Sequence, residues 1–197
     1  KMLSSINKGV AYAVATIAGF LGTICFLASG QAWAIVLILL GPWLAILIHE
    51  LGHTFAAWRL GMNVRAIAVG PIELRLAPLH FRQADNLLGQ DVGGHVRFDE
   101  TSRRYLTRKI DALITAAGPA ANLLTTIVCA ALAFIAADTP AGRIAMGFAY
   151  TSLATFILSA WPFKLASGRG NDALELVRMF RREPARRSSK RSPWQAR

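Results

Sequence analysis

Four apolar stretches constrain this chain more than any other feature, because each is long enough to cross a bilayer, which takes ~20 helical residues. They run from about Val10 to Ala28, Trp33 to Trp58, Ile110 to Ala137 and Ile144 to Trp161. Short turns at Ser29-Gly30-Gln31 and Asp138-Thr139-Pro140 make the first pair and the last pair read as helical hairpins. The first stretch also carries marks of a secretory signal: Lys1 and Lys8, an apolar run, then Ala32-Trp33-Ala34. Its apolar run is longer than a usual signal core, and a second apolar span follows at once, so we read it as a span.

Charge supports this arrangement. Only 17% of residues are charged, against roughly 25% in soluble domains. The net charge is nevertheless +11, so the basic residues must be concentrated. Lys1 and Lys8, the nine from Arg59 to Lys109 and the ten from Lys164 to Arg197 account for 21 of 22. A four-span topology puts all 21 on one side and leaves only Arg143 on the other. The positive-inside rule makes the crowded side cytoplasmic, with both termini inside. A nucleic-acid binder would carry its basic residues on a folded polar domain with groove-reading elements, and none is present in the sequence. Cys25 and Cys129 lie in apolar runs and read as small buried hydrophobes.

The polar middle loop, about Leu60 to Lys109, holds two alternating segments. Ile67, Val69, Ile72, Leu74 and Leu76 alternate with Glu73 and Arg75, and a second alternation spans Val92 to Phe98. These predict short strands bounded by Gly70-Pro71, Pro78 and Gly93-Gly94. The expected fold class is an all-α polytopic membrane protein with about four transmembrane helices. A small membrane-associated β-hairpin region, about 64–99, lies in its cytoplasmic loop. Residues 1–180 form one domain, and the basic tail 181–197 is expected to be disordered near anionic head groups.

Within the second span lies His49-Glu50-Leu51-Gly52-His53. Two histidines four apart on a helix present their imidazoles on one face and can bind a single zinc. Glu50, beside that metal, can take a proton from a water and deliver it to a leaving amine. Ionisable groups within a span are expensive and mark a functional site. Counting from Trp33 at ~1.5 Å per residue puts His49 about 24 Å from the outer surface, inside the bilayer but toward the cytoplasmic side. A catalytic zinc usually takes three protein ligands and keeps one open position. His80, His95 and the acids other than Glu50 are the candidates for the third. Asp172 is the best placed, following the fourth span on the cytoplasmic side, although a helix from Ala173 to Phe180 could instead use it as a cap.

The chain resembles the site-2 protease family of intramembrane zinc metalloproteases. The resemblance rests on His49-Glu50-Leu51-Gly52-His53, Gly118-Pro119-Ala120-Ala121-Asn122, and Ser159-Ala160-Trp161-Pro162 followed by Asn171-Asp172-Ala173. It spans about Trp33 to Phe180. The third motif departs from the family's, with Ser159 in place of Asn and Ala173 in place of Gly. The resemblance implies one zinc per chain, held by His49, His53 and Asp172, with Glu50 as the catalytic base. It implies substrate-binding roles for Asn122, Ser159, Gly93 and Gly94, the two glycines matching part of a membrane-dipping hairpin that pairs with an unwound substrate. It further implies single-span substrates, such as anti-sigma factors or remnant signal peptides, and a bacterial plasma membrane location. The departures at Ser159 and Ala173 leave open an inactive scaffold. A membrane metal binder or transporter without proteolysis would use the same ligands. The residues do not specify an oligomeric state.

Overall fold

The structure, a computed structural model, describes residues 33–70, 72–76, 78–83, 94–99, 106–164 and 170–181. The expected first span (about 10–28), Gly93 and the tail beyond Arg181 lie outside the described residues. Among the described residues, three long helices and one short one carry the fold: α1 (Trp33–Arg59), α2 (Arg108–Ile135), α3 (Pro140–Ala160) and α4 (Asp172–Phe180). The long three coincide closely with the expected second, third and fourth spans. Among the described residues, α2 and α3 are long and apolar enough to cross a membrane.

Local chemistry sets the helix ends. Thr107 caps α2 by accepting from the Ile110 amide, and Thr139 caps α3 by accepting from the Gly142 amide. Pro140 follows Thr139 at the first turn of α3, where its missing N–H costs nothing. Only residues 136–139 separate α2 from α3, so the two pack against each other, and α1 packs on both. Gly41 of α1 lies against Thr151 of α3, where a Cβ would be 3.3 Å from the threonine hydroxyl.

The polar loop folds into one four-stranded antiparallel sheet, a larger unit than the expected hairpin region. Its strands are β1 (Val64–Val69), β2 (Ile72–Leu76), β3 (Leu79–Gln83) and β4 (Gly94–Phe98), in the order β3-β2-β1-β4. Gly70, at φ 53°, starts the two-residue turn between β1 and β2, a conformation that favours glycine. Pro78, expected only to end a strand, sits in the equally tight turn from β2 into β3, where Leu76 pairs with Leu79.

Because side chains alternate along strands, cross-strand partners divide the sheet into two chemically distinct faces. Glu73, Arg75, His80, Arg82, His95 and Arg97 share one face; Ile67, Ile72, Leu74, Phe81 and Val96 share the other. On the apolar side, Val64 and Phe98 pack with Ile110 and Leu106 around a buried cluster of Ala57, Met62 and Ile114. That cluster joins the end of α1, the start of α2 and the sheet, and so fixes the sheet against α1.

Many large apolar side chains lie on the surface, while several polar ones are buried. Phe134 and Ile135 are 85% and 80% exposed, while Asn122 and Ser152 are fully buried. Phe55 and Trp58 on α1, Leu124 and Ile127 on α2, and Tyr150 on α3 are also largely exposed. Apolar surface on this scale marks contact with lipid or protein. The interior, by contrast, contains the polar residues that form the site.

Candidate metal centre

His49, Glu50 and His53 are all buried on α1, and their ligand atoms lie within 4.8 Å of one another. The helical i,i+4 spacing brings the two imidazole rings to a 4.7 Å centroid separation, nearly perpendicular, with their Nε2 atoms 3.1 Å apart. Space for them comes from α2. A Cβ on Gly118 would overlap His53 Nε2 and lie 2.7 Å from His49 Nε2. Close approach of the helices is also made possible by Gly52, where a Cβ would come within 2.5 Å of the Ala117 carbonyl.

Both rings are held from behind. His53 Nδ1 donates to the Ile114 carbonyl at 2.7 Å, which leaves its Nε2 as a lone pair facing the cluster. His49 Nδ1 lies 3.1 Å from Asn122 Nδ2, and Asn122 Oδ1 is buried with no partner. The two ends of an amide fill the same space, and only their hydrogen bonds distinguish them. Turned over, the amide sets Oδ1 against a protonated His49 Nδ1, satisfies the orphaned oxygen and exposes the His49 Nε2 lone pair. That is the arrangement a metal-binding histidine requires of its outer partner.

The third corner comes from a distant part of the chain. Asp172, the first residue of α4, places Oδ2 2.8 Å from His49 Nε2 and 3.6 Å from His53 Nε2. Burial raises the Asp172 carboxyl, but with the rings protonated and no metal between them, the hydrogen bond from His49 and the charge of His49 and His53 outweigh it and hold the pKa at about 2. The cap of α4 is Asn171, whose Oδ1 accepts from the Leu174 amide, and not Asp172. The Asp172 carboxylate is thereby left for the histidines.

Three donor atoms separated by 2.8, 3.1 and 3.6 Å bracket the spacing of about 3.3 Å that tetrahedral zinc ligands at ~2.0 Å would show. The donor set, the aligned lone pairs and the absent side chain at Gly118 fit a zinc ion. Among the other candidates for third ligand, exposed His80 bonds the Pro78 carbonyl, and His95 sits on the sheet face opposite Gly94, so neither joins the cluster.

Glu50 faces the sheet. It is 5% exposed, and a Cβ on Gly94 would fall inside its carboxyl group. Gly94 opens β4, an edge strand in the sheet order, so that strand's backbone begins directly beside the Glu50 carboxylate. Ser159 is engaged within its own helix, its hydroxyl donating to the Phe156 carbonyl at 3.0 Å. Two contributors were missed in the sequence: the Ile114 carbonyl, which no side-chain pattern reports, and Asn171. Asn171 did leave a signal, since Asn ranks with Asp as a helix cap and stands one residue earlier.

Comparison with known proteins adds one positive finding. The model described as "Peptidase family M50" matches residues 34–183. No curated protein and no solved structure matches the chain.

Proposed function

Given that the chain belongs to peptidase family M50, the site-2 protease family, we propose that it is an intramembrane zinc metalloprotease cutting peptide bonds in or near transmembrane segments of its substrates. The family makes it a membrane metallopeptidase. The observation that carries the finer reading is the convergence of His49, His53 and Asp172 on one point beside Glu50.

His49, His53 and Asp172 hold one zinc per chain. When bound, the ion supplies a Lewis acid that lowers the pKa of a water and polarises a carbonyl. Glu50 accepts the proton of the attacking water and passes it to the leaving amine. Burial of Glu50 between α1 and β4 keeps bulk water from competing for that proton. Ile114 and Asn122 hold the two imidazoles in the tautomer that leaves Nε2 free. This gives Asn122 a role behind the ligand, beside the substrate contact that the resemblance implies.

A substrate helix has its peptide bonds shielded, so cleavage requires an extended segment, and unpaired backbone groups are costly in lipid. Strand addition along β4 meets that need. Its support is the edge position of β4 and the closeness of Gly94 to Glu50. Ser159, whose proton is given to Phe156, retains only acceptor capacity toward a substrate amide.

The same reading takes α1, α2 and α3 as three of four spans, with both termini cytoplasmic in a bacterial plasma membrane. Substrates are single-span proteins, anti-sigma-factor-like regulators or remnant signal peptides. Metal analysis of the purified chain tests the site. Wild type should carry about one zinc, and His49→Ala and Asp172→Asn should carry far less; equal metal in all three would refute the ligand set.

A further inference from the structure

The residue before the third ligand has no part in the chemistry above, yet its side chain uses all of its hydrogen-bonding capacity. Asn171 is 9% exposed and lies where α3 ends and α4 begins. Its Nδ2 donates to the carbonyls of Leu158, Ser159 and Trp161 at 3.0, 3.1 and 2.7 Å. These belong to the end of α3, where helical carbonyls lack intrahelical donors. Its Oδ1 accepts from the amides of Phe163 and Leu174 at 3.1 and 3.2 Å. Two N–H groups and two lone pairs thus serve five backbone groups, one N–H being shared.

The main chain reinforces the junction. The Asn171 amide donates to the Phe163 carbonyl at 3.1 Å, Lys164 pairs with Gly170, and the Gly170 amide donates to Glu175 Oε1. These contacts tie the start of α4 to the residues that follow α3. Asp172 is the next residue, with its carboxylate 2.8 Å from His49.

We propose that Asn171 is a positioning residue for the metal centre: its amide clamps α4 to the end of α3 and so sets where Asp172 meets the two histidines. This rests on the zinc reading above. The clamp has two separable halves. Oδ1 caps α4, a role that Asp or Ser also performs. Nδ2 grips α3, a role that neither can perform, since Asp offers only acceptors there and Ser is too short.

The test compares full-length wild type, Asn171→Asp and Asn171→Ser in detergent. Zinc affinity is measured by competition with a chelator, and melting is followed on the zinc-stripped protein. Both variants should melt within a few degrees of stripped wild type, while their zinc affinity falls by about 10–100-fold, the usual effect of losing an outer-shell support. Unchanged zinc affinity would overturn the proposal. So would equal destabilisation of both variants with and without zinc, which would make Asn171 a general determinant of folding. Failure of wild type itself to take up zinc would instead remove the metal reading, and the proposal with it.

Discussion

Asp172 Oδ2 and His49 Nε2 lie 2.8 Å apart although 123 residues separate them in the chain. Neither element would bring them together alone. α1 carries the histidines, α2 provides the open space at Gly118, and the α3–α4 junction delivers the carboxylate. Each of these supports is open to a separate test.

Gly118→Ala inserts a methyl group where the two Nε2 atoms face each other. Zinc content should fall sharply, and overpacking of this kind destabilises by about 1–3 kcal/mol. The neighbouring exposed Ala120, changed to Val, serves as a control that leaves metal content unchanged. Full zinc occupancy in Gly118→Ala would mean that the ligands lie elsewhere.

Asn122→Ala leaves His49 Nδ1 without a partner in a fully buried position. Zinc affinity should drop about 10–100-fold, and Asn122→Asp, which keeps an acceptor, should restore most of it. If Asn122 instead contacts substrate, KM would change while zinc affinity stayed fixed.

Gly94→Ala drives a methyl group into the Glu50 carboxyl group. Turnover should fall by up to about 100-fold, as expected when a reacting group is displaced by roughly 1 Å, with zinc content unchanged. Metal analysis and cleavage on the same preparation check both halves.

Acid should release the Asp172 carboxyl from the two histidines in zinc-stripped protein. The folded Asp172 carboxyl, at about 2, lies below its ordinary value of 3.8, so its contribution is complete above about pH 4 and is lost as pH falls through 2. Fluorescence of Trp161, which lies at the clamped end of α3, follows the change. In Asp172→Asn this acid step should be missing.

Sequence reasoning succeeded where the signal is local. The three long helices were expected nearly to their ends, because apolar length and the Asp138-Thr139-Pro140 turn are written in consecutive residues. β3 was missed because Pro78 reads as a strand breaker when it is in fact a turn residue between paired strands. The alternative of Asp172 as the cap of α4 is one residue out, since Asn171 caps the helix. That shift matters, because a capping Asp172 would direct its carboxylate to its own helix. Contacts between elements left no such trace. Gly94 against Glu50, the Ile114 carbonyl behind His53 and the grip of Asn171 on α3 depend on packing among elements far apart in the chain. The motif residues named the chemistry; the groups that hold them in place emerged only from the fold.

The central claim is hydrolysis of membrane-embedded peptide bonds by Glu50 beside a zinc ion. Co-reconstitution of wild type or Glu50→Gln with a tagged single-span substrate tests it most directly, with zinc measured on both proteins. Wild type should release a cleaved fragment, while Glu50→Gln should retain about one zinc per chain and lose activity by roughly 100-fold or more. Equal cleavage by both proteins, or intact substrate with wild type across a panel of single-span candidates, would contradict it.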